Sequence, residues 1–247
     1  MEGTNSVDIL AFGAHPDDVE IGVGGILAKH AAAGFSIAIC NLTHAELSSN
    51  GTVEIRKMEA KQAARILGVR KLINLGFPDR GLRGDREEVL KIAQVIRQLR
   101  PKIVLSPYFE DRHPDHVMTS RLVKDAVFDA AIRKIRTPGD EAPHRVPQVY
   151  HYFINDIHPA DVIVDISDFY EIKVNAILAY RSQFDRQSGE VSTPLNNPAY
   201  LAMIRGRDQL WGQQVGSMYG EALVSPRPIR QSLLLPAQFR ALPPGKF

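Results

Sequence analysis

The chain has 247 residues, 44% hydrophobic and 23% charged, with a formal net charge of +2. These proportions belong to an ordinary soluble globular protein, long enough to build a core without disulfides or structural metals. A charge so small and so evenly spread argues against a nucleic-acid binder, and the one basic group, Arg133-Lys134-Arg136, reads as a solvated helix end.

The start, Met1 to Asp8, is polar and carries no cationic-then-apolar leader pattern. Val7 to Ala14 is an apolar run predicted as the first strand, and Ile21 to Ala33 as a helix closed by Gly34. Ser36 to Leu42 is a second strand. It holds the single cysteine, Cys40, which has no disulfide partner, reads as a small buried residue and fits a reducing compartment. Val53 to Leu67 is a helix ended by Gly68, and Lys71 to Leu75 a short strand. Arg86 to Leu99 is an amphipathic helix stopped by Pro101, Ile103 to Ser106 a fourth strand, and His116 to Ile135 another helix. Thr137 to Pro147 is expected to be an exposed, mobile connection. Two strand-like runs follow, Gln148 to Ile154 and Asp161 to Ile166, then a helix from about Phe169 to Tyr180. Arg186 to Pro198 is a polar loop, about Pro198 to Gln213 a last helix, and the tail from Ser225 is Pro- and Arg-rich.

Strands alternating with helices of this length predict βαβ crossovers and a parallel sheet covered on both faces, an α/β fold of three layers. With no long linker and no repeat, residues 1–247 read as one domain. Its α/β core spans about 7–180, with a C-terminal loop, helix and tail over about 181–247. No segment approaches the roughly 20 apolar residues of a membrane span, so no membrane partner and a cytoplasmic location are expected.

Two segments carry chemistry. His15-Pro16-Asp17-Asp18-Val19-Glu20 follows the first strand, and His113-Pro114-Asp115-His116 follows the fourth. Each places a histidine and carboxylates in a turn entering a helix. In a doubly wound sheet the strand order reverses beside strand one, so strands one and four become neighbours and ligands bind outside their carboxyl ends. The two turns would then face each other. His15 and Asp18, three residues apart, can reach one point from the first helical turn, and His116 can supply a third ligand from across the crevice. Two imidazoles, one carboxylate and an open position form a catalytic zinc pattern, although iron(II) uses the same donors. Asp17, beside a ligand, is the candidate general base, a role worth roughly 10²–10⁴ in rate. His113 is the candidate donor to an oxyanion, with Asp115 orienting and charging its imidazole.

Other features weigh differently. His30, His44, His144, His151 and His158 lack a comparable setting and read as surface or strand residues. Gly22, Gly24 and Gly25 suggest part of a dinucleotide fingerprint, but the first strand-to-helix turn is acidic and lacks the required glycines. They read instead as close-packing positions. A nucleotide-binding oxidoreductase is therefore disfavoured. A metal-binding protein without catalysis leaves Asp17 and the His113-Asp115 pair without a purpose.

At these residues the sequence resembles the LmbE-like, or PIG-L, family of zinc-dependent N-deacetylases, over most of the chain from Asp8 to about Val224. The resemblance implies a Rossmann-like sheet and hydrolysis of N-acetylglucosamine conjugates. It implies His15, Asp18 and His116 as metal ligands, Asp17 as base, and His113 held by Asp115 as electrostatic or acid partner. Arg56, in Ile55-Arg56-Lys57-Met58-Glu59, matches a family arginine near the substrate. Tyr180-Arg181-Ser182-Gln183-Phe184 and Leu210-Trp211-Gly212 resemble the deacetylases of bacillithiol biosynthesis, which act on N-acetylglucosaminyl malate. Malate carboxylates would call for a basic residue, with Arg56, Arg112 and Arg181 as candidates, and Tyr200 is a candidate hydroxyl near the oxyanion. The alternatives are another glucosaminyl conjugate, such as a mycothiol-type precursor, or a chitin-like oligosaccharide. The expected partner is a small amino sugar conjugate. The Pro-rich tail and peripheral helices suggest a homo-oligomer, a trimer or hexamer.

Overall fold

A computed structural model of the chain describes residues 5–185 and 191–229. The first residues of the expected loop, 186–190, and the tail beyond 229 lie outside the described residues. The first half alternates as β1 (Ile9–Gly13), α1 (Asp18–Ala32), β2 (Ile37–Thr43), α2 (Val53–Ile66), β3 (Lys71–Phe77), α3 (Arg86–Leu99), β4 (Ile103–Pro107) and α4 (Pro114–Ala130). Each of the last three helix starts has a local cause. Thr52 accepts from Ile55 N–H ahead of α2, Asp85 and Glu88 form a capping box on α3, and Pro114 occupies the first turn of α4.

The sheet has the order β3-β2-β1-β4-β5-β7-β6. β1 pairs in parallel with β2, Ile9 opposite Ile37, and with β4, Ile9 opposite Ile103. The order thus reverses at β1, as expected, and the crevice opens at the carboxyl ends of β1 and β4. β1 and β2 are buried along their whole length because helices cover both faces. Ile9, Ala11, Ile37 and Ile39 pack with residues of α1, α2 and α5 (Tyr170–Leu178); Leu10, Phe12, Ala38 and Cys40 pack with α3 and α4. The fold is the single-domain, three-layer, mostly parallel α/β sheet that the alternation predicts.

Besides α5, the second half holds β5 (Gln148–Tyr152), β6 (Val162–Asp165), a 3-10 turn at Ser167–Phe169, α6 (Arg181–Phe184), α7 (Pro198–Gln214) and β7 (Gly220–Val224). β7 was not anticipated. It inserts between β5 and β6, antiparallel to both. α4 also stops at Ala130, short of the expected Ile135. The buried guanidinium of Arg97 on α3 explains this. It donates to the carbonyls of Asp129, Ala130, Ile132, Ile135 and Glu141, drawing the chain into a loop beyond α4. The connection 137–147 is largely exposed, as expected, yet tied down: Thr137 Oγ1 donates to Glu141, His144 N–H to Ala130 O, and His144 Nε2 lies 2.8 Å from Pro101 O. No helix among the described residues is long and apolar enough to cross a membrane.

Candidate active site

The turn after β1 and the turn after β4 meet at the crevice. His15 N–H donates to Asp18 Oδ2 at 2.9 Å, closing the first turn on itself. Asp18 Oδ2 lies 3.7 Å from His15 Nδ1, and Asp18 Oδ1 lies 3.1 Å from His116 Nε2. The three residues assigned as ligands from the sequence therefore converge, and all are nearly or fully buried. The rings of His15, His113 and His116 also cluster, with donor atoms of all three within 4.8 Å of one another.

Each imidazole near Asp18 turns its second nitrogen to another carboxylate. His15 Nε2 is 3.2 Å from Asp79 Oδ1 and 3.4 Å from Asp115 Oδ2. His116 Nδ1 is 3.0 Å from Asp111 Oδ1. A carboxylate behind an imidazole fixes its ring and raises its basicity, the usual support of a metal-binding histidine. Asp17, Asp18, Asp79, Asp111 and Asp115 gather here, and only Asp17 and Asp115 are paired with a guanidinium, those of Arg56 and Arg80. The donor set and this surplus of negative charge fit a divalent cation.

Without a cation the carboxylates hold protons on the imidazoles. Burial alone would lower the His15 pKa, but hydrogen bonds to Asp115 and Asp79 and the charge of Asp18 raise it to about 10. For His116 burial is likewise outweighed by Asp18 and Asp111, giving about 9. Burial opposes ionisation of Asp18 too, but His116 and His15 keep its carboxyl well below the usual range.

Asp17 takes a left-handed backbone, φ 113°, which is strained for a residue with a side chain. Arg56 holds it there, donating to Pro16 O and, at 3.1 Å, to Asp17 Oδ2. Burial pushes the Asp17 carboxyl up to about 6 against the opposing charge of Arg56. Arg56, expected beside the substrate, is itself buried and also donates to Ser48 Oγ.

His113 caps α4: its Nδ1 accepts from Asp115 N–H at 3.2 Å. In the neutral ring the proton is then on Nε2, free to donate. Burial and the neighbouring His15 and His116 lower its pKa. The carboxylate of Asp115 does not orient His113 as expected; the backbone does. Asp115 instead accepts from Arg80 N–H and Nη1, both at 2.8 Å, and lies against His15. Tyr200 donates to Asn155 Oδ1 at 3.2 Å, and both line a cleft of about 380 Å³ beside Arg112, Asn197 and Met203. Burial raises the Tyr200 pKa, so its hydroxyl stays protonated. Arg181 is exposed and paired with Asp185. A groove of about 1250 Å³ elsewhere, under Phe109 and Phe128, is lined by none of the metal-cradle residues.

Asp79, Arg80, Asp111 and Asn155 are not among the residues expected from the sequence. Asp111 carried a signal, since it lies in the same acidic-imidazole turn as His116; Asp79 follows a turn-forming proline. Neither reveals its partner until the loops are folded together.

Comparisons with known proteins bear on the family. Residues 10–127 match the family PIG-L, described as GlcNAc-PI de-N-acetylase. A diacetylchitobiose deacetylase of Thermococcus kodakarensis is 32% identical over 228 residues, covering 87% of this chain and 81% of the relative. A probable N-acetyl-alpha-D-glucosaminyl L-malate deacetylase 2 of Bacillus subtilis is 26% identical over 222 residues, covering 83% and 97%. The solved structure of the conserved protein TT1542 from Thermus thermophilus superposes with a TM-score of 0.84 at 40% identity, covering 94% of this chain and 100% of that one. A relative this similar across most of both lengths, and the paired His-Pro-Asp turns joined at one crevice, place the chain in the PIG-L, or LmbE-like, family of de-N-acetylases.

Proposed function

We propose that the chain is a zinc-dependent N-deacetylase of N-acetylglucosamine conjugates, with His15, Asp18 and His116 holding the ion. The observation that carries this is Asp18 standing between two imidazoles, each backed by a further carboxylate, beside a strained and buried Asp17. A divalent ion held there supplies Lewis-acid polarisation of the amide carbonyl and brings water within reach of deprotonation near neutral pH. Asp17 takes the proton of the attacking water. Its pKa, pushed up to about 6, suits a base working near neutrality. His113, with Nδ1 engaged by the backbone, donates Nε2–H to the carbonyl oxygen as charge develops there. The Asp17 carboxyl then returns its proton to the departing amine.

For the aglycone, N-acetylglucosaminyl malate of a bacillithiol-type pathway is supported by Arg112, which precedes His113 in the chain, lines the cleft with Asn155 and Tyr200, and can meet a carboxylate. A second reading, a chito-oligosaccharide, is favoured by the greater identity to the Thermococcus enzyme. Incubation with N-acetylglucosaminyl malate, diacetylchitobiose and a mycothiol-type precursor, reading free amine, separates them. Arg112→Ala is expected to raise KM about tenfold for the malate conjugate and leave diacetylchitobiose unchanged. Amine release from none of them by the zinc-loaded protein would overturn the deacetylase assignment; malate as the poorest substrate would overturn the finer one.

A further inference from the structure

α1 is broken. Val23 has φ −142° and ψ 20°, outside helical geometry, so the turn bearing Asp18 is a separate piece from the rest of the helix. In an unbroken helix Gly25 N–H would donate to Ile21 O and Ile26 N–H to Gly22 O. Here Gly25 N–H and Ile26 N–H donate instead to the two carboxylate oxygens of Glu221 on β7, at 2.9 and 2.6 Å, and Ile21 O accepts from Arg207 Nη2 of α7 at 2.8 Å. The break is thus capped on both sides by side chains from the last helix and strand.

Those caps belong to one buried set. Lys173 Nζ is 2.6 Å from Asp208 and 2.8 Å from Glu221, and Arg207 Nε is 3.3 Å from Asp208. All four side chains are sealed from solvent, and their formal charges cancel. Arg207 also reaches the opposite wall. Its Nη1 donates to Ile154 O at 2.7 Å and Phe153 O at 3.4 Å. The next residue, Asn155, donates to Asp111 through Nδ2 at 3.0 Å and through its backbone at 3.3 Å. Asp111 is the carboxylate behind His116. The Arg207 guanidinium, stacked 5.1 Å over Trp211, therefore bonds at one end to the segment of His15 and Asp18 and at the other to the segment that sets His116.

We propose that Arg207 is a positioning residue that fixes the separation of the two metal-holding turns, and so sets affinity for the ion. This rests on the metal reading above. Removing Arg207 alone strands Asp208 as a buried charge and endangers the fold. Arg207→Met with Asp208→Asn removes the pair together, leaving Lys173 with Glu221. The measurement is zinc affinity, by competition with a chromophoric chelator, alongside circular dichroism and melting. The double variant is expected to keep a wild-type spectrum and cooperative melting yet bind zinc roughly 10–100-fold more weakly, the size of effect seen for outer partners of metal ligands. Arg207→Lys keeps the charge but not the two-ended reach, and is expected to weaken zinc in the same direction. If the double variant folds and binds zinc as tightly as wild type, Arg207 has only a structural role. Should the double variant unfold, wild-type affinity in Arg207→Lys overturns the proposal. A wild-type chain that binds no zinc sinks the metal reading itself.

Discussion

Asp17 occupies a backbone conformation that costs about 1–3 kcal/mol for a residue with a side chain, and it is sustained by Arg56 through Pro16 O and the Asp17 carboxylate. The two residues are thus one device. Asp17→Asn is expected to retain zinc and lose roughly 10²–10⁴ in kcat, whereas His116→Ala is expected to lose both; elemental analysis beside an amine-release assay checks this. Burial raises the Asp17 pKa and Arg56 lowers it. Removing Arg56 therefore makes Asp17 take up its proton at higher pH. In Arg56→Met the acid limb of the kcat/KM profile should move to higher pH, and an unmoved limb would mean that Asp17 is not the base seen in that profile. At this scale the residues legible in the sequence are those of two short motifs: His15, Asp17 and Asp18 in one, His113, Asp115 and His116 in the other. Asp79, Asp111 and the carbonyl-binding role of Arg207 were not legible. The groups that hold them, Leu47 N–H, Asn155 and Ile21 O, lie 32, 44 and 186 residues away along the chain. Asp115 shows the same limit from the other side. Its type and place were legible, but its carboxylate is drawn to His15 and Arg80 because its own backbone N–H already meets His113.

Among the elements, α1 shows why periodicity found a helix and missed its break. The apolar residues continue through Val23, and nothing local announces that Glu221 and Arg207 will replace the helical hydrogen bonds. The glycines were a real signal. A Cβ on Gly22 would stand 2.2 Å from Tyr152 Cδ2, and one on Gly25 2.6 Å from Ile166 Cδ1, so α1 approaches its neighbours as only glycine permits. Tyr152 is immobilised by its hydroxyl bond to Phe12 O at 2.7 Å. Gly22→Ala should therefore destabilise by about 1–3 kcal/mol, the cost of overpacking, read as a lowered urea midpoint. An unchanged midpoint would show that the Tyr152 ring moves aside freely. β7 is hidden in the sequence because Gly220 and Glu221 interrupt its short apolar run, and the burial of Glu221 depends on distant partners, Lys173 and the N–H groups of Gly25 and Ile26. α4 ends before its sequence pattern does for a similar reason, since Arg97 on a different helix takes the carbonyls that would have continued it.

At the scale of the whole molecule, the cation cradle joins parts of the chain that the sheet alone brings side by side. Zinc binding should therefore register as global stability, with a sign set by the imidazoles. In the metal-free protein His15 and His116 have pKa values raised to about 10 and about 9, against roughly 6.5 in an unfolded chain. Their ion pairs with Asp18, Asp79, Asp111 and Asp115 contribute fully below about pH 6.5 and are lost as pH climbs through about 9 to 10. Zinc requires the nitrogens that face Asp18 unprotonated, so it must displace one proton from each imidazolium and binds more tightly as pH rises. Metal-free protein should accordingly lose stability between about pH 6.5 and 9.5 while the gain from zinc grows. At a free zinc concentration one hundred times Kd the gain is about 2.7 kcal/mol, which for a chain of this size is roughly 5–11 °C in Tm. Melting curves with zinc and with chelator, at several pH values spanning neutrality and at fixed total metal, test this. Asp17→Asn should show the wild-type increment and His116→Ala none. An increment that does not change with pH would mean that the ion is held by carboxylates alone, with the imidazoles outside its coordination sphere.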